Sequence, residues 1–182
     1  NLDKRTVEGF GKEWRHFDQT GLDRESHKLI FDDYFATFPW ERLPDAAVGA
    51  DIGCGSGRWA QGVARKVGHL YLVDASAEAL GVARSNLAAF GNVSFHLASV
   101  AEMPIADRSL DFAYCFGVLH HVPDTISALK SVAQKLKPGA PLLLYLYYDF
   151  DNRPPWYRAI WKFSDQLRRL ISQLPFVLRY GF

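Results

Sequence analysis

Cysteine is scarce in this chain: the 182 residues hold two, Cys54 and Cys115. Neither has a C-x-x-C partner, which argues against a disulfide framework or a zinc site and makes a reducing, cytoplasmic setting the default. An excess of one charge is also missing. Lys plus Arg number 21 against 20 Asp plus Glu, a net +1, which speaks against a domain whose main task is wrapping a nucleic-acid backbone. Long apolar runs are lacking too. The longest, Ala140 to Tyr148, is about half of what a membrane-spanning helix needs and lies far from the N-terminus, where a signal peptide would sit. No internal repeat occurs, and no His-Glu-x-x-His or comparable spacing, so no metal is expected. The first residue is Asn1 rather than Met, so the chain reads as processed or cut from something longer.

What is present is the composition of one folded domain, 48% hydrophobic, 14% aromatic and 23% charged, enough to bury a core. Two helical patterns open the chain: Val7, Phe10, Trp14 and Phe17, then Leu29, Ile30, Tyr34 and Phe38 before Pro39. From Ala46 short apolar runs alternate with helical stretches, the mark of βαβ units and a parallel sheet. Strands are expected at 47–52, 69–73, 93–97, 110–116 and 140–148, with helices at 58–66, 77–89 and 125–136. Asp124 can cap the last of these, Ile126, Leu129, Val132 and Leu136 form its apolar face, and Lys137-Pro138-Gly139 ends it. The expected organisation is a single domain over 1–182, with a helical cap at 1–45, an α/β core at 46–148 and a helical insertion or tail at 149–182. That tail carries an apolar stripe, Trp156, Ile160, Phe163, Leu167, Leu170 and Leu174, and a local excess of basic residues. A core-facing stripe with a solvated basic face is the favoured reading; contact with a partner or a membrane surface is the other.

The most informative stretch is Asp51-Ile52-Gly53-Cys54-Gly55-Ser56-Gly57-Arg58-Trp59, after a strand and before a helix. Alternating glycines there let the backbone turn tightly and approach a ligand closely. Gly55-x-Gly57-x-x-Ala60 also fits the dinucleotide fingerprint, and Asp74, ending the second strand, could accept both hydroxyls of a ribose in either ligand class. The alternative reading of Asp74-Ala75-Ser76 is a helix cap only, with Ser76 capping.

The order D-x-G-x-G-x-G, with Asp51 two residues before Gly53, resembles the first motif of class I S-adenosylmethionine-dependent methyltransferases, in their small-molecule, methyltransferase-11-like branch. The resemblance covers roughly 46–148 and implies a doubly wound, Rossmann-like, mainly parallel sheet, with S-adenosylmethionine as cofactor and a small-molecule acceptor. It implies cofactor contacts at Asp51, Gly53, Cys54, Gly55, Gly57, Asp74 and Ala75. In the segment Phe95 to Pro104 it adds Ser99, standing where an acid usually reads the adenine amino group, with Val100 and Ala101 at the ring edge. The backbone near Phe116 would meet the methionine part. His120 and His121 follow at the mouth of the site; the expectation is that His120 faces the acceptor as general base and His121 turns toward the helix starting at Asp124. The N-terminal helices with Trp14 and Phe17, and Trp156 to Leu174, would shape the acceptor pocket. Asn152-Arg153-Pro154-Pro155-Trp156 faintly resembles a motif of nucleic-acid amino methyltransferases, but it follows the fifth strand and Arg153 breaks it, so it reads as a turn. The family's final β-hairpin is expected to be missing, leaving an apolar edge strand and possible self-association. A nicotinamide-dependent oxidoreductase and an inactive nucleotide-binding or interaction module are the alternatives.

Overall fold

The computed structural model describes residues 24–147 and 153–172; the pattern Val7 to Phe17, Asn152 and Leu174 lie outside these. The chain divides into two compact units between Leu146 and Tyr147. The first opens with helix α1, Arg24–Tyr34, and continues through β1, Val48–Ile52; α2, Ala60–Ala64; β2, His69–Asp74; α3, Ala77–Asn86; β3, Val93–Leu97; β4, Phe112–Phe116; α4, Thr125–Lys135; and β5, Leu142–Tyr145. All pairings are parallel in the order β3-β2-β1-β4-β5, the doubly wound sheet that alternating short apolar runs and helices predict. Among the described residues the sheet ends at β5.

Side chains alternate across each strand, so the sheet separates two apolar layers. Phe112 and Tyr114 of β4 join α1, α2 and α3 on one face. Ala113 and Cys115 join Val132 and Leu136, at the end of α4, on the other. Register explains the composition of β1. Gly49 lies opposite Phe112 and Asp51 opposite Tyr114; a Cβ on Gly49 would stand 2.1 Å from the Phe112 ring. One neighbour must be only backbone so that the other can be a full aromatic.

Several boundaries differ from expectation for local reasons. The helix expected at 58–66 is confined to Ala60–Ala64, with no side-chain cap at Trp59 and Gly62 in its middle, where a Cβ would fall 2.5 Å from the Phe31 ring. The fifth strand is four residues rather than nine, since Pro141 cannot donate to a ladder and Leu146 and Tyr147 are already exposed. In α1 the buried stripe is Phe31 with Phe35 and Phe38 beyond it, while Leu29 faces out. Phe31 and Phe35 stack with centroids 4.5 Å apart. In α4 the Asp124 cap accepts from the Ser127 amide at 2.9 Å, and Val132 and Leu136 are buried, but Ile126 is exposed. The second unit contains α5, Pro155–Ser172.

Gly49→Ala should lower unfolding free energy by about 1–3 kcal/mol, the usual cost of overpacking, measured by urea denaturation. Unchanged stability would mean that the Phe112 ring can swing aside.

Candidate functional site

At the carboxyl ends of the strands, where open α/β sheets bind ligands, lies a cleft of about 640 Å³. Its floor is the turn leaving β1. Gly53, Gly55 and Gly57 all have positive φ, 74°, 52° and 74°, a region L side chains avoid. The amides of Gly53 and Cys54 donate to the Val73 carbonyl at 2.7 and 3.1 Å. The Gly55 amide donates to Asp74 Oδ2 at 2.8 Å. The turn is thus pinned to the end of β2 by backbone groups, and its inner surface is left open.

Asp51, Gly53, Cys54, Gly55, Asp74, Ala75, Ser99, Val100, Ala101, Phe116 and His121 all line this cleft. Two expected site residues do not. Gly57 faces α3: a Cβ there would meet Leu87 Cδ1 at 2.8 Å and Ala83 Cβ at 3.3 Å, so this glycine serves close packing. His120 is not on the wall itself but packs against His121, which is, with ring centroids 4.0 Å apart. The pair belongs to the 3₁₀ turn Leu119–His121. Leu119 goes to the core and His121 to the cleft.

The wall also holds residues that the sequence reading passed over: Arg58, Trp59, Glu102 and Asp124 among them. Glu102 matters because Ser99 stands where an acid was expected; the Ser99 hydroxyl donates to Glu102 Oε2 at 3.4 Å. The S-x-x-E spacing, a capping-box pattern, was the available signal. Trp59 and Phe116, ring centroids 5.6 Å apart, extend beyond the cleft through Tyr34, which lies 4.4 Å from Trp59, 5.5 Å from Phe116 and 5.6 Å from Tyr145. The Arg58 guanidinium lies over the Trp59 ring at 4.6 Å.

One buried carboxyl, Asp51, and one half-buried, Asp74, dominate the electrostatics. Burial pushes Asp51 up to about 8; the Tyr114 hydroxyl, donating to Oδ2 at 2.9 Å, opposes the shift and the Asp74 charge adds to it. Burial raises Asp74 as well, against the amides of Ser76, Gly55 and Ala75. Asp74 also plays the capping part considered for it: Oδ1 accepts from the Ser76 amide at 2.8 Å, while Ser76 Oγ caps α3 through the Ala79 amide. A carboxylate has about four acceptor positions, so these bonds leave Asp74 capacity for ligand hydroxyls. The thiols of Cys54 and Cys115 are buried and raised, burial being the main cause, which makes them poor nucleophiles. His121 is lowered by burial, which favours the neutral imidazole that can accept a proton.

With fold and cleft in place, the comparisons with known proteins agree on a class. The family described as "Methyltransferase domain" matches residues 50–144, and the chain belongs to that family. A ubiquinone biosynthesis O-methyltransferase from Hahella chejuensis is 32% identical over 130 residues, 70% of this chain and 50% of the relative. The YcgJ protein from Bacillus subtilis superposes with a TM-score of 0.62 at 26% identity, covering 82% of this chain and 59% of that one. The N-methyltransferase NodS from Bradyrhizobium japonicum, solved with S-adenosyl-L-homocysteine, has a TM-score of 0.62 at 20% identity over 76% and 71% of the two chains, a likeness of fold. The chain spans about half the length of the curated relatives it matches.

The raised Asp51 has a consequence for stability. An acid whose folded-state pKa exceeds its unfolded one holds its proton more tightly in the folded chain, so its stabilising contribution is full below the ordinary 3.8 and drains away as pH climbs through about 8. Asp51→Asn keeps an acceptor for Tyr114 and never ionises. The variant should therefore lose less melting temperature than the parent as the pH rises from weakly acidic to about 8, with the two curves parallel above it, followed by thermal denaturation; parallel declines below about 8 would show that Asp51 titrates normally.

Proposed function

We propose that this chain binds S-adenosylmethionine in the cleft and transfers its methyl group to a small-molecule acceptor. The observation that carries the reading is the pair of carboxyls, buried Asp51 and half-buried Asp74, on a cleft with glycine-loop geometry. Burial raises both acids, so the site favours a ligand that brings positive charge to an adenosine. When bound, S-adenosylmethionine supplies a methyl group on a positively charged sulfur, next to an ammonium.

The chain's share is to bind, orient and manage a proton. Asp74 offers its remaining acceptor positions to ribose hydroxyls. Ser99 and Glu102 present acceptors toward the adenine amino group, with the Val100 and Ala101 backbone along the ring edge. The backbone around Phe116 and Gly117 borders the amino-acid end. His121 is the general base of this reading, taking the proton from an acceptor hydroxyl; His120, off the cleft wall, packs against the His121 ring at 4.0 Å between centroids. Arg58 at the rim disfavours cationic acceptors, and together with the aromatic group Trp59, Phe116, Tyr34 and Tyr145 it suits a neutral or anionic, ring-bearing hydroxyl compound. That agrees with the O-methyltransferase name of the Hahella relative. Two buried free thiols accord with a cytoplasmic setting.

Binding should strengthen with pH. A cation beside Asp51 favours its ionised form, so S-adenosylmethionine should bind more tightly as pH rises toward about 8 and should release a proton, read by calorimetry in buffers of different ionisation enthalpy. The pyrophosphate of a nicotinamide dinucleotide would favour the protonated acid, so its affinity would fall over the same range; that result would move the chain to the oxidoreductase reading. Asp74→Ala should weaken S-adenosylmethionine by about tenfold or more, the loss of charge-assisted hydrogen bonds.

His121→Ala should lower turnover about a hundredfold while leaving cofactor affinity nearly intact, and His120→Ala should cost much less. The reverse ranking in a single-turnover methyl-transfer assay would restore His120 as the base.

A further inference from the structure

The methyl-transfer reading makes no use of α5, yet among the described helices this one has the most strongly divided surface. At about 100° per residue, Trp156, Ile160, Phe163 and Leu167 fall within one narrow stripe, and all four are exposed, Phe163 by 72%. Arg158, Lys162 and Arg168 fall on the far side with Asp165, to which Arg168 is paired. The helix as a whole carries four cations and one carboxylate. Arg153, just ahead of it, lies over the Tyr157 ring at 5.6 Å.

Two occupants could cover such a stripe, and charge separates them. The spacing of four, three and four would also seat a second copy of the helix. The positions flanking the stripe, Tyr157 and Ser164 on one side and Ala159 and Gln166 on the other, carry none of the charge pairs that select a helical partner, and two like-charged helices repel. An anionic bilayer matches both the stripe and the cations. Its headgroups attract the cations, its acyl boundary accepts the apolar stripe, and Trp156 within the stripe and Tyr157 at its flank are residues that settle at that boundary. Among the described residues no helix is long and apolar enough to cross a membrane, so the fitting geometry is a helix lying in the plane.

We propose that α5 is an interfacial anchor, laying Trp156, Ile160, Phe163 and Leu167 into the headgroup boundary of an anionic membrane with Arg158, Lys162 and Arg168 held at the lipid charges. The anchor needs no turnover, so it stands or falls apart from the methyl-transfer reading.

Co-sedimentation of the 182-residue chain with vesicles of phosphatidylcholine, alone or mixed with phosphatidylglycerol, tests it. Partitioning should be at least about tenfold stronger into the anionic vesicles and should weaken with salt. Phe163→Lys separates insertion from simple adsorption, because it adds a cation while deleting an anchor and retains helix propensity. It should bind about tenfold more weakly, with the melting temperature of the cleft-bearing unit unchanged. Tighter binding of Phe163→Lys would overturn the proposal in favour of a merely basic tail. Tryptophan fluorescence should be quenched by brominated acyl chains, and less so in Trp156→Phe. Absence of binding to either vesicle, or concentration-dependent self-association without lipid, would also overturn it.

Discussion

The Asp74 carboxylate is the fixed point of the cleft. It sits at the end of β2, and its two oxygens reach in different directions, one to the Gly55 amide of the turn leaving β1 and one to the Ser76 amide that opens α3. Strand end, glycine turn and helix start are thereby tied together by a single side chain, while the Val73 carbonyl beside it accepts the amides of Gly53 and Cys54. These bonds depend on the parallel register that sets Asp51 beside Leu72 and Ile52 beside Val73. One residue of slip would send Asp51 and the Asp74 contacts to opposite faces. The tight match of Gly49 to Phe112 in the next pairing resists that slip, so packing deep in the sheet protects the geometry at its rim.

Much of this was legible because it depends on residue order. The D-x-G-x-G-x-G run specifies a positive-φ turn after a strand, Asp74 marks the end of the next strand, and alternating apolar runs give the sheet. What escaped depends on rotation about an axis. Around α1 both Ile30 with Tyr34 and Phe38 and Phe31 with Phe35 and Phe38 satisfy helical spacing; spacing fixes the period and not the phase, and Phe31 and Phe35 took the core. His120 and His121 are neighbours in sequence and their rings pack 4.0 Å apart between centroids, so sequence order alone could not say which of the two lines the cleft; the wall holds His121. Gly57 belongs to the same run as Gly55, yet its open side is filled by Leu87, thirty positions on, a contact that local pattern cannot reveal. Glu102 was hidden by a gap of one turn: the acid sits three residues after Ser99, brought to the same wall by the short helix between them.

The glycine turn and Asp74 suit any adenosine, and a fold of this kind hosts more than one chemistry, so neither separates a methyl donor from a nicotinamide dinucleotide. The difference lies beyond the ribose, where one ligand is cationic and the other carries a pyrophosphate. Asp51 is buried beside the glycine turn with Tyr114 as its hydrogen-bond donor, and a second acid, Asp74, lines the same cleft. Keeping two carboxyls in low dielectric costs the folded chain stability, a cost that functional sites commonly carry. An anionic ligand would compound it, since a third negative group would have to be desolvated against the first two. A cationic ligand relieves it, because the proton leaves Asp51 and the charge that remains has a partner. On the methyl-transfer reading, the feature that is unfavourable in the cleft by itself would be its source of selectivity for a positively charged donor.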